Sequence, residues 1–465
     1  MKIAVVGGGP GGYVAAIKAA MHGADEVVVI EKKRLGGTCL NVGCIPTKAL
    51  LASSSMLMNV KEAKSFGINI EGEIKPDFSA IMARKNKVVD QLISGIEFLF
   101  DKRGIQTING FGKLIDKNTI EVTKEDGSKE LVKADKIILA NGSVPVVPPM
   151  FPYDGKIVIT SDEVLGLEEL PQSMLIVGGG VIGSEIGQFF QNLGTQVTIV
   201  EMAEHILGNE DKDVAKQLQR QFKKDKIKVL AGVGVQTCGI VDNKVVATLS
   251  NGKSVTADTC LVAVGRKPNL KNSGIEELGI ELIGRGKVKV NEYLETNVEG
   301  IYAIGDIIDT AMLAHVASKE GEVAAVNALG GKKTVNYNAV PRCVYTQPEV
   351  AGVGKTEKQL QADNEEYKVG QFDFRALGKA QAIGHIQGFI KVLAGKDDKI
   401  IGASIVGPHA TDLLTELSLA VGLGLTVEQV GDIIHAHPSL SEGLMEALHD
   451  VHGECVHAAP KLVKA

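Results

Sequence analysis

Two glycine-rich turns, each entered from an apolar strand and left through a helix, and a final stretch without such a turn predict an α/β chain. The expected architecture is two Rossmann-like dinucleotide-binding domains followed by a C-terminal α+β domain. Length agrees, because 465 residues exceed what one hydrophobic core supports and suit about three domains.

Composition narrows the function classes. With 44% hydrophobic and 23% charged residues the chain reads as globular, and its 54 glycines suit tight turns and close backbone approaches to ligands. A net charge of −6 without a basic run argues against nucleic-acid binding by phosphate neutralisation. No apolar run approaches the roughly 18–20 residues that span a bilayer, so no membrane partner is expected. The chain opens directly on a strand, Met1-Lys2-Ile3-Ala4-Val5-Val6-Gly7, which leaves no room for a leader and predicts cytoplasmic residence.

The first unit runs from strand Lys2 to Val6 through Gly7-Gly8-Gly9-Pro10-Gly11-Gly12 into an Ala-rich helix, Tyr13 to Ala20, and a strand that ends at Glu31. Gly7 makes the turn, Gly9 lets the backbone approach a pyrophosphate, Gly12 permits tight helix–strand packing, and Glu31 can accept from ribose hydroxyls. A helix from Phe78 to Arg103, turn-rich strands around Gly110 to Gly112 and a buried strand from Lys136 follow, and Val144 to Pro149 reads as a domain crossover.

The pattern restarts at Met174 to Gly183, with Gly178, Gly180 and Gly183 in the three glycine positions, a helix from Ser184 to Leu193 and a strand ending at Glu201. The turn Val264-Gly265-Arg266-Lys267-Pro268 echoes Gly142-Ser143-Val144-Pro145, so the unit repeats and two nucleotides are expected. Glu201 has no arginine beside it; a carboxylate there favours a free 2′-hydroxyl and repels a 2′-phosphate, which selects NAD over NADP. The first unit would then hold the flavin nucleotide.

Gly300 to Asp306 is a strand that delivers an aspartate at a glycine turn, suited to a ribose or ribityl hydroxyl, and Met312-Leu313-Ala314-His315 opens a helix to about Ala328. From about Asn336 the chain reads as antiparallel strands (Val340 to Tyr345, Tyr367 to Phe374, Phe389 to Ala394, Ile400 to Val406) with helices between them. The resulting boundaries are 1–142, 143–269, a segment 270–337 that returns to the first domain, and 338–465.

Two constellations carry chemistry. Cys39 and Cys44 sit just after the first nucleotide signature and could be a redox pair, a metal site or two buried thiols. On an ideal helix residues five apart lie about 8–9 Å from each other at Cα, whereas a disulfide needs less than about 7 Å. A bridge therefore requires a broken helix around Asn41-Val42-Gly43, and such a bridge is of the labile kind. Zinc would need two more ligands, and no other paired cysteines offer them, so no metal is expected. Cys238, Cys260 and Cys343 read as inert buried thiols, and Cys455 stands alone. The second constellation is His437 with Glu442, a histidine able to take a thiol proton and a carboxylate able to orient it. His435 competes for the base role without an acid at that spacing.

These residues carry a family resemblance. Gly36-Gly37-Thr38-Cys39-Leu40-Asn41-Val42-Gly43-Cys44-Ile45-Pro46-Thr47-Lys48, Gly178 to Gly183 with Glu185, and Val264 to Asn269 are its first part. Ile304-Gly305-Asp306, Met312 to His315, and His435-Ala436-His437-Pro438-Ser439-Leu440-Ser441-Glu442 complete it. Over essentially its full length the chain resembles the pyridine nucleotide–disulfide oxidoreductases, and among them the dihydrolipoamide-oxidising members. The resemblance implies FAD and NAD as cofactors, with Glu31, Lys48, Gly112, Asp306 and 312–315 on FAD and Lys48 paired with Glu185. It implies that Gly178 to Gly183, Glu201, Val235 and Gly265 line the NAD site. It also implies a Cys39–Cys44 redox disulfide in which Cys39 exchanges with substrate and Cys44 faces the flavin, with His437 as base.

The resemblance further implies a homodimer whose C-terminal domain is the interface, the base coming from the second subunit. The partner would be a lipoylated protein, either the E2 component of a 2-oxo-acid dehydrogenase or the H protein of glycine cleavage. Asn141 departs from the threonine common in the family's turn. Competing readings are a reductase of glutathione or another small disulfide, and a flavin-bound redox sensor that would not need His437.

Overall fold

Residues 1–458 are described by the computed structural model, so 459–465, the end of the expected C-terminal domain, lie outside the described residues. The first sheet has five parallel strands in the order Ile301–Ala303, Lys136–Leu139, Lys2–Val6, Glu26–Glu31, Gln106–Asn109. Its central strand buries Ile3, Ala4 and Val5 completely, as a strand covered on both faces must. One face is covered by helix Pro10–Met21 and helix Ala314–Ala328, which approach so closely that a Cβ on Gly321 would lie 2.3 Å from the Gly11 carbonyl oxygen. Residues after 300 thus complete the sheet begun at Lys2.

The second sheet repeats the first. Its order is Lys228–Ala231, Gln196–Glu201, Ser173–Val177, Thr259–Val262, Val158–Ile159, again all parallel. Each unit carries a three-stranded antiparallel insertion before the strand that neighbours its central one, Lys136–Leu139 or Thr259–Val262: Phe111–Asp116, Thr119–Thr123 and Lys129–Lys133 in one, Val235–Val241, Lys244–Leu249 and Ser254–Ala257 in the other. The two echoing turns, Ser143–Pro145 and Arg266–Pro268, pair with each other as an antiparallel ribbon. The units are therefore hinged on equivalent segments.

The C-terminal sheet is antiparallel, ordered Arg342–Val344, Glu349–Gly354, Ile400–Gly407, Phe389–Ala394, Lys368–Asp373. Four of these strands match expectation within two residues at each end. The fifth, Glu349–Gly354, was not expected, because Pro348 and two glycines imitate a turn. Buried charges fasten this sheet to the second unit. The ammonium of Lys391, whose side chain is 1% exposed, lies 2.9 Å from both Asp211 and Asp213, and Arg342 lies 2.8 Å from Glu210. Removing one partner of such a buried pair costs about 3–5 kcal/mol. No helix among the described residues is long and apolar enough to cross a membrane.

Candidate active site

The cysteine segment is seated directly on the first glycine turn. Gly36 and Gly37 take φ of +92° and +55°, and the Gly36 N–H donates to the Gly8 carbonyl at 2.8 Å. Helix Gly37–Val42 then stops, Gly43 adopts φ −149° and ψ −116°, and a new helix starts at Cys44 and runs to Glu62. The break that a bridge requires is present. Only glycine fits, since a Cβ at residue 43 would lie 2.7 Å from the Thr38 carbonyl oxygen. Asn41 braces the first helix, its amide donating to the Leu35 and Gly37 carbonyls at 3.0 and 2.9 Å.

Both cysteines are free thiols close to each other, Cys39 half-buried and Cys44 exposed as a residue although protein surrounds its sulfur enough to strip it of water. The hydrogen bond from Cys39 brings the Cys44 thiol down to about 7; burial opposes this and the Lys48 ammonium assists. The same hydrogen bond, reinforced by burial, drives Cys39 strongly upward. Reduced, the pair holds its negative charge on Cys44. Lys48 itself is fixed by Glu185, 2.7 Å away and 3% exposed, and lies 4.5 Å from the centre of the Tyr345 ring. The other Glu185 oxygen accepts the Tyr345 N–H at 2.9 Å. Glu185 therefore positions Lys48, a buried acid on the second unit serving the first.

The glycine turns of the two units superpose in their contacts. Gly7 and Gly178 have φ of +104° and +107°, and their N–H groups donate to Ile30 and Val200. Cβ atoms on Gly12 and Gly183 would lie 1.9 and 2.0 Å from the carbonyl oxygens of Gly7 and Gly178. Gly9 and Gly180 are extended, each preceding its helix. The Gly8 N–H donates to Glu31 and the Gly179 N–H to Glu201, both at 2.7 Å, so each acid is aimed across its turn.

Asp306 accepts from the Ser143 hydroxyl, which in turn accepts from Arg266 Nε at 2.7 Å. Leu313 caps helix Ala314–Ala328, which meets the first glycine turn one turn further on, where a Cβ on Gly11 would lie 3.0 Å from the Ala317 carbonyl oxygen, and His315 Nε2 lies 3.0 Å from the Pro341 carbonyl. Gly112 stands on the antiparallel insertion, where a Cβ would meet Val6 and Ile30 at 3.2 Å. Val235 opens the equivalent insertion, and Gly265, φ +126°, accepts the Val146 N–H at 3.0 Å. The Asn141 amide oxygen is buried without a hydrogen-bond partner among the described residues. A buried acceptor of this kind beside a glycine cradle fits a polar ligand atom. The donors and cradle of the first unit thus fit a dinucleotide, and those of the second do equally.

His437 Nδ1 lies 2.7 Å from Glu442 Oε1, whose second oxygen accepts the Ser439 N–H at 2.8 Å. The imidazole is 78% exposed and its Nε2 has no hydrogen-bond partner among the described residues. His435 does have an acid, contrary to expectation: its Nε2 lies 3.0 Å from Glu416, and Nδ1 lies 2.7 Å from the Ile433 carbonyl. Both nitrogens of His435 are thus engaged, whereas Nε2 of His437 is open. Among the described residues no hydrogen bond or ion pair joins His437 or Glu442 to the cysteine turn.

Residues that spacing did not reveal are Tyr345 and Glu416, whose partners lie far away in sequence. Arg266 was visible only as part of the repeated turn, yet it also reaches Thr38, beside Cys39, at 3.5 Å.

Comparison with known proteins agrees with this geometry. The family described as pyridine nucleotide-disulphide oxidoreductase matches residues 1–321, and its dimerisation domain matches 340–448. A Bacillus subtilis dihydrolipoyl dehydrogenase is 40% identical over 98% of this chain and 100% of its own. The human mitochondrial dihydrolipoyl dehydrogenase is 40% identical over 96% and 89%. Among solved structures, LpdA from Mycobacterium tuberculosis superposes with a TM-score of 0.90 at 29% identity, covering 97% of this chain and 99% of that one. The HOCl-induced flavoprotein disulfide reductase RclA from Escherichia coli gives 0.85 at 27% identity, with 96% and 99% covered. The chain belongs to the pyridine nucleotide-disulphide oxidoreductase family.

Proposed function

We propose that the chain acts as a dihydrolipoyl dehydrogenase, oxidising protein-bound dihydrolipoamide to lipoamide with NAD+ as acceptor. The observation that carries the chemistry is the asymmetry of the thiol pair: one thiol near 7, the other driven up, both at a helix break against the first glycine turn. The curated relatives of similar length and that activity support the choice of substrate.

Bound FAD and NAD would supply the two-electron acceptor and its onward carrier. The chain's own residues supply the rest. His437 Nε2 takes the proton of a substrate thiol while Glu442 holds Nδ1 and stabilises the imidazolium. The substrate thiolate attacks Cys39 of the oxidised pair, the Cys39–Cys44 bond breaks, and Cys44 leaves as a thiolate stabilised by the Lys48 ammonium. The cradle around Gly7, Gly9, Gly12, Glu31, Gly112, Asp306 and 312–315 would hold FAD. Gly178, Gly180, Gly183, Glu201, Val235 and Gly265 would hold NAD, with Glu201 selecting against a 2′-phosphate. On this reading 1–142 and 270–337 form the FAD domain, 143–269 the NAD domain and 338–465 the interface.

A homodimer completes the site, the His437–Glu442 pair of one protomer serving Cys39–Cys44 of its partner. Exposed apolar side chains support the burial of His437 against a second copy: Ile433 and Ile434, just before it in the chain, are open, Ile434 at 96%, as are Leu419 and Leu423 on the helix whose Glu416 holds His435. The lipoyl group would arrive on an E2 or H protein in the cytoplasm. Initial rates with dihydrolipoamide, lipoamide and glutathione disulfide, each with both nicotinamide nucleotides, test the assignment. Fast NAD+ reduction by dihydrolipoamide and poor NADP+ use are expected; faster turnover of glutathione disulfide than of lipoamide would overturn it.

A further inference from the structure

Cys238 and Cys260, which sequence alone leaves as inert thiols, are brought together by the second unit. In strand Thr259–Val262, Cys260 is in register with Leu175 and Val262 with Val177, so all four point to one face of the parallel sheet. Leu261 and Ile176 belong to a different core cluster, on the opposite face. The antiparallel insertion covers the Cys260 face. There Cys238 is directly opposite buried Ala247, and residues paired across strands share a face. Val245, Ala247 and Leu249 of the insertion pack in one cluster with Leu175, Val177, Cys260 and Val262, and Cys238 packs against it. Each cysteine therefore points into the same interface from its own sheet, near enough for each thiol to shift the titration of the other.

We propose that Cys238 and Cys260 form a second redox-active thiol pair, which a peroxide-class oxidant closes into a disulfide linking the two sheets of the second unit. The pair has the polarity of Cys39–Cys44: Cys238 is half-buried and lowered by the neighbouring Cys260 thiol, while Cys260 is fully buried and raised. Cys238 is thus the attacking sulfur and Cys260 the resolving one. The Cys238 thiolate attacks one peroxide oxygen, the O–O bond breaks, and the second oxygen leaves as hydroxide that takes the thiol proton to become water. The Cys260 sulfur then attacks the sulfenic sulfur, the S–S bond forms and the S–O bond breaks. The departing hydroxide takes the Cys260 proton as a second water. The dithiol loses two electrons and the peroxide gains them.

The test uses the FAD-loaded, full-length Cys39→Ser/Cys44→Ser protein, which removes the catalytic pair from the six cysteines. Graded hydrogen peroxide should remove two of the four remaining titratable thiols, dithiothreitol should restore them, and peptide mapping should find the 238 and 260 peptides joined. In the Cys260→Ser background Cys238 should stop as a sulfenic acid that dimedone traps, and in the Cys238→Ser background Cys260 should stay reduced. Over-oxidation of Cys238 with Cys260 still a thiol, or a disulfide to Cys343 or Cys455, would overturn the pairing. Cys238→Ser on its own should leave basal turnover unchanged, since that residue touches neither nucleotide turn.

Discussion

After Glu31 the chain spends residues 32–105 on helices before rejoining its sheet at Gln106; after Glu201 it returns by Lys228, with only helix Lys212–Lys224 between. Much else in the two nucleotide units corresponds, including the spatial strand order, the antiparallel insertion, the positive φ of the first glycine and the acid aimed at the second, although the edge strand comes last in the chain in one and first in the other. The glycine turn and acid are solutions to holding a dinucleotide, so both units keep them. Chemistry was placed in the long helical segment that the second unit lacks, and that segment rests on the first turn through Gly36. The second unit contributes only support, through Glu185 and Arg266. This division gives the comparison its testable edges.

The largest effects should come from filling the shared cradle. A Cβ at Gly12 or Gly183 meets a backbone carbonyl oxygen at 1.9 or 2.0 Å, which no rotamer relieves. Gly12→Ala should purify without flavin and without activity. Gly183→Ala should keep its flavin absorbance and be bleached by dihydrolipoamide, yet form no NADH. Flavin loss from both variants would mean that the units do not act independently.

Next in size is the base. His437→Gln should lower kcat/KM for dihydrolipoamide by about 10²–10⁴-fold, the range for a positioned proton acceptor, while His435→Gln should stay much closer to wild type. Equal losses in stopped-flow reduction by dihydrolipoamide would show that the free Nε2 is not what distinguishes the two histidines.

The paired acids give a smaller effect. A hydrogen bond to a charged group is worth about 1.5–3 kcal/mol, so Glu201→Ala should raise KM for NAD+ by roughly 10- to 100-fold and narrow the gap to NADP+. Glu31→Ala should instead weaken FAD retention, followed by flavin fluorescence during dialysis. An NAD+ effect from Glu31→Ala would reverse the assignment of the two units.

What was legible in the chain follows the same division. Both glycine turns and their acids could be read because backbone geometry admits few residues at 7, 12, 178 and 183. The helix break at Gly43 could be read because five-residue spacing is incompatible with a bridged helix. Contacts between distant segments could not: Glu185 with Lys48, Glu416 with His435, and Cys238 with Cys260 are products of packing, and no periodicity points to them. The strand Glu349–Gly354 was hidden because glycines that let it pack closely, Gly352 and Gly354, look like turn residues in sequence.

The smallest effect asks whether the inserted segment sets its own reactivity. Cys44 sits near 7, below an ordinary 9.0, first through the hydrogen bond from Cys39 and then through Lys48. A lowered thiol is populated as thiolate above its folded value and loses that form as pH falls through it. Alkylation of Cys44 in the reduced enzyme should therefore rise with pH around a midpoint near 7. Cys39→Ala deletes the leading cause while burial and Lys48 stay, so the midpoint should move up toward 9.0. The rate at neutral pH should then fall on the order of tenfold. Lys48→Gln should move it the same way by less, because the ammonium ranks below the thiol contact. A midpoint that held near 7 in Cys39→Ala and rose only in Lys48→Gln would transfer control to the Lys48–Glu185 pair. The second unit would then tune the chemistry of the first, and the inserted helices alone would not explain how two like folds came to do unlike work.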